Sequence, residues 1–232
     1  MAAVVDAGDA TPVIDYIERQ SVDLCAILCT HPHGDHVGGN WGLLSRWNVP
    51  VFGPKNETIP GRTRALGEGE TIVVPGLGLE LSVLDIPGHT AGHIAYVGEG
   101  LVFCGDTLFA VGCGRLFEGT PAQMVSSLDK LSALPEATAV YCGHEYTLAN
   151  LRFARAVEPA NAALQQRQER EQAKRNRGVP TLPSTIGEER VTNPFLRADV
   201  PAVRAAAERH AGHSLDDRVA VFAEIRSWKN TF

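Results

Sequence analysis

A short polar segment directly after an apolar run constrains this chain more than any other part of it. Residues 30–40 read THPHGDHVGGN, so three histidines and one aspartate fall within six positions. The preceding residues 24–29, LCAILC, are typical of a buried strand, which places the polar side chains on a loop at its C-terminal end. Imidazole nitrogens and carboxylates are preferred ligands of zinc-like divalent ions. Four such donors exceed what one tetrahedral site takes from one loop, so the spacing predicts two neighbouring metal ions. Ordinary hydrogen bonding within a polar loop is the alternative.

Three further candidate ligands follow predicted strands in the same way. They are His89 after a strand at 79–86, Asp106 after a strand at 101–104, and His144 after a strand at 139–142. A glycine precedes each of them and lets the backbone turn sharply or approach closely. Because strand ends can gather ligands at one edge of a sheet, we expect these side chains to complete the metal site there.

Composition limits the class of protein. The 232 residues are 44% hydrophobic and 21% charged, as in ordinary globular proteins. The formal net charge of −6 argues against nucleic acid as a partner, and an anionic substrate would need local basic residues. With no long apolar run and no visible signal peptide, we expect no membrane association and a cytoplasmic location. Five irregularly spaced cysteines predict reduced thiols.

The periodicity of apolar residues divides the chain into two parts. In the first part, strands are predicted at 2–5, 24–29, 51–52, 71–74, 79–86, 94–97, 101–104 and 139–142. Thr11 is expected to cap a helix that starts at Pro12, residues 41–47 to form a short helix, and Thr120 to begin a helix with a capping box. Residues 54–70 and 107–119 are predicted loops.

After Glu145 the character of the sequence changes. No strand is expected there, and helices are predicted at about 147–157, 160–177, 199–211 and 214–229. The highly charged segment 160–177 is interpreted as a solvated helix. We therefore expect an α/β domain at 1–144 and a helical domain at 145–232.

The ordered motifs resemble those of the metallo-β-lactamase superfamily. They are THxHxDH at 30–36, PGHT at 87–90, GD at 105–106 and GH at 143–144. The resemblance implies an α/β fold, an αββα sandwich of two mixed sheets, followed here by a C-terminal α-helical domain. It also implies two divalent metal ions. Zinc is the expected metal, and iron or manganese would suit the same donors. The first ion would be held by His31, His33 and His89, and the second by Asp35, His36 and His144, with Asp106 bridging them.

Longer stretches resemble the glyoxalase II family, the hydroxyacylglutathione hydrolases, over nearly the whole chain. They include GDTLF at 105–109, GCGRLFEGT at 112–120, CGHEYT at 142–147, NPF at 193–195 and RSWK at 226–229. By this resemblance the substrate-binding residues are Arg115, Leu116, Phe117, His144, Glu145, Tyr146, Arg226 and Lys229. Arg226 and Lys229 are three apart, hence neighbours on one helix face, and could hold a glycine carboxylate. Phe117 stands where some relatives have tyrosine, so only packing or backbone contact is expected from it.

The resemblance further implies the reaction. The substrate would be S-D-lactoylglutathione, a small glutathione thioester, and the products D-lactate and glutathione, in the second step of methylglyoxal detoxification. A hydroxide bridging the two metals would attack the thioester carbonyl, with Asp35 and Asp106 as the catalytic carboxylates. Two alternatives stay open: an iron persulfide dioxygenase of the same fold, and a non-catalytic protein that keeps the fold as a scaffold. We expect a monomer.

Two residues outside the ligand set are expected to support it. Asp6, at the end of the first strand, is predicted to orient a ligand histidine, and His93 is predicted to support the site by hydrogen bonding. One departure from the family also stands out, because its members usually have strands ahead of the segment at 3–6. The chain is therefore expected to lack the first strands, which places its stability in question.

Overall fold

The computed structural model describes all residues from 1 to 232. The chain forms twelve strands, which are β1 (Ala2–Val5), β2 (Leu24–Leu28), β3 (Val51–Pro54), β4 (Arg64–Leu66), β5 (Thr71–Val74), β6 (Leu79–Asp85), β7 (Ile94–Gly98), β8 (Leu101–Gly105), β9 (Leu108–Phe109), β10 (Gly112–Cys113), β11 (Ala139–Cys142) and β12 (Ser184–Thr185). It also forms nine helices, which are α1 (Ala10–Gln20), α2 (Gly34–Val37), α3 (Asn40–Leu44), α4 (Pro121–Ser132), α5 (Thr147–Val157), α6 (Ala162–Asn176), α7 (Ile186–Thr192), α8 (Pro201–Ala211) and α9 (Arg218–Thr231).

The first sheet has the strand order β1-β2-β3-β4, and every pair in it is parallel. All five residues of β2 are buried, because a parallel strand inside a sandwich is covered on both faces. On the outer face, Ile17 of α1 and Leu43 of α3 pack with Ile27 and Val51. This double burial explains why β2 is a continuous apolar run and not an alternating one.

The second sheet is mixed and has the order β12-β11-β8-β7-β6-β5. Strands β5 to β8 pair antiparallel in sequence, β11 is parallel to β8, and β12 is antiparallel to β11. Its inner face contributes Leu81, Val83 and Tyr96 to a core shared with Leu28 and Phe52 of the first sheet. The two sheets thus pack face to face between outer helices, in agreement with the predicted sandwich.

Helix α4 covers the outer face of the second sheet. Thr120 and Gln123 form the predicted capping box, in which the Thr120 hydroxyl accepts from the Gln123 N–H at 3.2 Å and the Thr120 N–H donates to Gln123 Oε1 at 2.9 Å. The prediction for α1 is wrong by two residues, because Asp9 and not Thr11 is the N-cap. The Asp9 carboxylate accepts from the Thr11 N–H at 2.8 Å.

The C-terminal helices extend the same core. Phe153, Phe195, Phe222 and Ile225 belong to one buried cluster together with Met124 of α4 and residues of the second sheet. The expectation of no strand after Glu145 is wrong, since Ser184 and Thr185 form β12 on the edge of the second sheet. No helix of the chain is long and apolar enough to cross a membrane.

Three other expectations are wrong, and one helix was missed. Residues 64–66 form the edge strand β4 within the predicted loop at 54–70, and residues 108–113 form the hairpin β9–β10 within the predicted loop at 107–119. Helix α7 was not predicted. The charged helix α6 is not simply solvated, because Arg167 is only 3% exposed and its Nη2 lies 2.7 Å from Oε1 of the fully buried Glu189.

Candidate metal centre and substrate cavity

The candidate ligands lie where four strands end at one edge of the sandwich. Residues 30–36 follow β2, and His89, Asp106 and His144 follow β6, β8 and β11. Gly143 permits the close approach of two of these segments, since a Cβ at this position would lie 2.5 Å from Cε1 of His36. The topology therefore brings together side chains that are more than 100 residues apart in the sequence.

One group of donors comprises His31, His33 and His89, whose ligand atoms all lie within 4.8 Å of one another. The Nδ1 atom of His33 is 3.0 Å from Nε2 of His89. Nε2 of His31 is buried and has no hydrogen-bond partner. An orphaned buried acceptor of this kind is costly unless a cation or a donor satisfies it.

A second group comprises Asp35, His36 and His144, also within 4.8 Å. The Nε2 atoms of His36 and His144 are 3.3 Å apart, and Oδ2 of Asp35 lies 3.2 Å from Nε2 of His144. Asp106 lies between the two groups. Its Oδ1 is 3.3 Å from Nε2 of His36, and its Oδ2 is 3.4 Å from Nε2 of His144 and 3.5 Å from Nε2 of His89.

These spacings fit metal coordination. Two ligand atoms that each lie about 2.0 to 2.1 Å from one tetrahedral zinc ion are about 3.3 Å apart. The distances of 3.0 Å in the first group, and of 3.3 and 3.2 Å in the second, are close to that value. The donor set, with imidazoles and carboxylates only, is likewise one that zinc, iron and manganese accept. The residues therefore fit two divalent ions.

Hydrogen bonds outside the donor set hold three imidazoles in one tautomer. Nδ1 of His89 donates to the Arg115 carbonyl at 2.8 Å. Nδ1 of His36 lies 3.1 Å from Oδ2 of Asp6. The Thr30 hydroxyl donates to the same Asp6 oxygen at 2.7 Å, so it accepts from Nδ1 of His31 at 3.0 Å. Each histidine thereby keeps the lone pair of Nε2 directed into the site.

Asp6 and His93 lie behind the ligands, as predicted for supporting residues. Asp6 has φ of +54°, in the left-handed region that aspartate tolerates better than most residues. Its Oδ1 accepts from the Thr30 N–H at 2.8 Å. Both carboxylate oxygens of Asp6 therefore accept hydrogen bonds from residues of the metal-ligand loop. His93 stacks on His31 with ring centroids 4.5 Å apart, and its Nε2 accepts from the Asp106 N–H at 3.1 Å.

The electrostatics of the cluster differ between His31, which is kept neutral, and His36, which lies between two carboxylates. Burial, together with the neighbouring His93, His36, His89 and His33, lowers the pKa of His31 far below its usual value. Burial alone would lower the pKa of His36, but hydrogen bonds to Asp106 and Asp6 outweigh it and raise this pKa to about 10. Desolvation opposes ionisation of Asp106, yet the contact with His36 keeps the pKa of this carboxyl below its usual value. The site thus attracts positive charge at the position between the carboxylates.

A cavity of about 730 Å³ opens beside the donors. Its lining includes the candidate ligands His33, Asp35, His89, Asp106 and His144, and also the basic residues Arg115, Arg226 and Lys229. Aromatic rings form a further part of its wall. Tyr146 stacks on His144 at 5.0 Å, and Phe109 packs edge-on against Tyr146 at 5.3 Å. Phe117, which is 61% exposed, packs edge-on against His89 at 5.2 Å.

The two basic residues of α9 differ in their surroundings. Arg226 is only 5% exposed, and its guanidinium donates to the Cys113 carbonyl and to Oδ1 of Asn230, each at 2.9 Å. Nζ of Lys229 lies 5.4 Å from the centre of the Phe153 ring. Burial and the neighbouring Arg226 lower the pKa of Lys229 to about 8. The cationic part of the cavity lining is therefore crowded with like charge, which an anionic group would relieve.

Two residues predicted to bind substrate do not line this cavity. Leu116 packs against the hydrophobic core, and Glu145 accepts hydrogen bonds from the N–H and the hydroxyl of Thr181, both at 2.9 Å. Phe109 and Asn150 line the cavity but were missed. The position of Asn150, four residues after Tyr146 on one helix face, could have indicated it.

Comparison with known families matches both parts of the chain. The family model described as metallo-beta-lactamase superfamily matches residues 2–144. The model described as hydroxyacylglutathione hydrolase C-terminus matches residues 145–232. The chain belongs to the hydroxyacylglutathione hydrolase family. This family is also called glyoxalase II. The match covers both the metallo-β-lactamase-type part of the chain and the C-terminal helices.

Individual relatives agree with this membership. A hydroxyacylglutathione hydrolase of Alkalilimnicola ehrlichii is 60% identical over 230 residues, which cover 99% of this chain and 90% of the relative. A hydroxyacylglutathione hydrolase of Nitrosomonas eutropha is 55% identical over 231 residues, covering 100% of this chain and 91% of the relative. The crystal structure of ETHE1 from Myxococcus xanthus matches with a TM-score of 0.67 and 23% identity, covering 97% of this chain and 80% of that one. This last likeness concerns the fold alone.

Proposed function

We propose that this member of the hydroxyacylglutathione hydrolase family hydrolyses S-D-lactoylglutathione to D-lactate and glutathione. The observation that carries the proposal is the cavity itself. Its lining combines five of the seven candidate metal ligands with three basic residues, Arg115, Arg226 and Lys229. Water supplies the hydroxyl group of the product acid, and the thiolate of glutathione leaves with the bonding electrons of the C–S bond.

Two divalent ions are part of the proposal. His31, His33 and His89 would hold the first, Asp35, His36 and His144 the second, and Asp106 would touch both. Bound there, such ions would lower the pKa of a water molecule and polarise a carbonyl oxygen. We propose zinc as the metal, with iron and manganese as ions that the same donors accept.

Asp35 is proposed to orient the attacking water. Its side chain is 62% exposed and lies at the mouth of the cavity, while its Oδ2 is directed at His144. The other carboxylate oxygen is then free to accept a hydrogen bond from water and hold it toward the carbonyl carbon. Asp106 is buried, and its backbone N–H donates to His93. It would fix the position of the two donor groups relative to each other. Neither a serine nor a cysteine nucleophile is needed.

The basic part of the cavity lining is proposed to bind the glycine carboxylate of glutathione. Arg226 and Lys229 would hold it from α9, and Arg115 from the opposite loop. Tyr146 and Phe117 would pack against the peptide, whereas Leu116, His144 and Glu145 would contribute backbone contacts. With the thioester sulfur near Asp35, the substrate would then lie along the aromatic wall.

The test measures loss of the thioester from S-D-lactoylglutathione by purified protein whose metal content is determined by elemental analysis. We expect turnover that depends on bound metal. A folded sample that holds two ions and shows no turnover would contradict the proposal. Oxygen consumption with glutathione persulfide would instead indicate the dioxygenase alternative, and absence of both bound metal and activity would indicate a non-catalytic protein.

We further propose that the protein acts as a monomer in the cytoplasm. All five cysteines are free, which suits a reducing compartment. Analytical ultracentrifugation at the concentration used for the assay tests the monomer.

A further inference from the structure

The hairpin β9–β10 contains a backbone conformation that is unusual for its residue. Val111, in the turn of this hairpin, has φ of +59°. A β-branched residue rarely adopts the left-handed region, because its Cβ substituents crowd the backbone. Such a conformation persists only where the surrounding structure imposes it. The contacts that impose it here come from the C-terminal helices.

Four groups of the C-terminal helices hold the hairpin. The Val111 N–H donates to Oε2 of Glu189 at 2.8 Å, and the Val111 side chain is buried in a cluster with Leu151, Ala154 and Leu164. Nδ2 of Asn193 donates to the carbonyls of Phe109 at 3.2 Å and Gly112 at 2.9 Å. Nδ2 of Asn150 donates to the Ala110 carbonyl at 2.9 Å. The turn is therefore fixed through its backbone and its side chain.

Glu189 is the centre of this arrangement and needs to be a carboxylate. It is fully buried, and all of its partners are donors. Oε2 accepts from Val111 and from Nδ2 of Asn193 at 2.9 Å. Oε1 accepts from Nη2 of Arg167 at 2.7 Å and from the Ser184 hydroxyl at 2.5 Å. An amide in this place would turn an N–H toward another donor on one side.

The hairpin forms part of the cavity wall. Phe109 packs against Tyr146, and the Cys113 carbonyl accepts from Arg226. A shift of the turn would therefore move both the aromatic wall and the guanidinium proposed to bind the substrate. We propose that Glu189 is a positioning residue for glutathione binding, which acts through Val111 and the hairpin. This inference rests on the proposed function for the identity of the ligand.

The test compares Glu189→Gln with Glu158→Gln. Glu158 is a matched control, because it is also buried in the helical region and pairs with Arg197 at 2.8 and 2.9 Å, and neither side chain bonds to the hairpin. We expect similar losses of thermal stability in both variants. Only Glu189→Gln should raise KM, about tenfold, as for loss of one buried hydrogen bond to a charged group, with kcat and metal content unchanged.

A second readout separates positioning from general destabilisation. Amide hydrogen exchange at residues 108–113 should become faster in Glu189→Gln and stay at the parental rate in Glu158→Gln. If Glu189→Gln does not fold, Asn193→Ala provides the same test, because it removes the bonds to the hairpin carbonyls and leaves the Glu189–Arg167 pair. For that variant we expect a higher KM and faster exchange at residues 108–113.

Equal KM values in Glu189→Gln and Glu158→Gln, or unchanged exchange of the hairpin in the folded variant, would overturn the inference. Binding of S-methylglutathione, measured by calorimetry, needs no turnover. If the parent protein binds this ligand but hydrolyses no thioester, the proposed function fails, and weaker binding by Glu189→Gln alone would still support the positioning role. If the parent does not bind it, the inference fails as well.

Discussion

Nη1 of Arg226 donates a hydrogen bond to the Cys113 carbonyl at 2.9 Å. This contact joins the last helix to the hairpin β9–β10 itself, across 113 residues of sequence. A substitution of Arg226 would therefore change two things at once, the hydrogen bond that holds the cavity wall and the positive charge proposed to bind the substrate. Lys229, one turn further along α9, has no such bond to the wall and offers the cleaner test of charge.

Replacing Lys229 by methionine should weaken substrate binding without unfolding the protein. The change removes the positive charge, and with it the cation–π contact with Phe153, but keeps an unbranched apolar side chain. We expect KM for S-D-lactoylglutathione to rise about tenfold, the effect of losing one charge-assisted contact. Arg226→Ala should raise KM and also lower the melting temperature, since the bond to Cys113 is lost. Metal content should be unaffected in both, and an unaltered KM in Lys229→Met would refute the proposed contact.

Binding of glutathione-type ligands should weaken as the pH rises through about 8. Burial and Arg226 lower the pKa of Lys229 to this value, and Arg115, Arg152 and Cys113 also face it. Below this pH the ammonium is charged and attracts the carboxylate, whereas above it the amine is neutral. The dissociation constant of S-methylglutathione should therefore increase with pH. Lys229→Arg stays charged and provides the reference, since titration of the ligand itself is common to both proteins. Identical pH profiles would contradict the prediction.

Asp6→Asn should reduce metal affinity about 10- to 100-fold, as is common for loss of a group that orients a ligand. Asparagine tolerates the φ of +54° at this position, so the backbone is retained. Its amide, however, places a donor opposite Nδ1 of His36 or the Thr30 hydroxyl. Competition with a chelator measures the affinity, and Asp15→Asn on the exposed face of α1 is the control. Equal affinities in the two variants would show that Asp6 does not support the site.

Arg167→Met should destabilise the protein by about 3–5 kcal/mol, because the buried Glu189 charge loses its partner. Gln166→Met, an exposed neighbour on the same helix, should change stability by less than about 0.5 kcal/mol. Denaturant unfolding monitored by circular dichroism measures both. Similar midpoints for the two variants would mean that α6 is in fact a solvated helix.

More of the candidate site than of the surrounding fold could be predicted from the sequence. The donors at 31–36, His89, Asp106 and His144 each follow a strand, and strand ends of this fold meet at one edge. Local patterns were therefore sufficient to find residues that lie close together. The resemblance to glyoxalase II pointed to Arg226 and Lys229, and their spacing placed them on one helix face, but the burial of Arg226 was not foreseen.

The rest depended on contacts that no local pattern encodes. Strands β4 and β12 have three and two residues, too few for an alternation to be visible. Arg167 lies in a charged segment whose composition suggests exposure to solvent, yet it is buried against Ser184 of β12 and Glu189 of α7. The conformation of Val111 likewise follows from Glu189, which is 78 residues away in the sequence.

The central claim is that this donor cluster, when loaded with metal, hydrolyses a glutathione thioester. It is tested most directly by titrating metal-depleted protein with Zn²⁺ and measuring bound zinc and the initial rate of S-D-lactoylglutathione hydrolysis on the same samples. We predict that the rate rises until two ions are bound per chain and then stays constant. A folded protein that binds two ions per chain and hydrolyses no thioester would contradict the account.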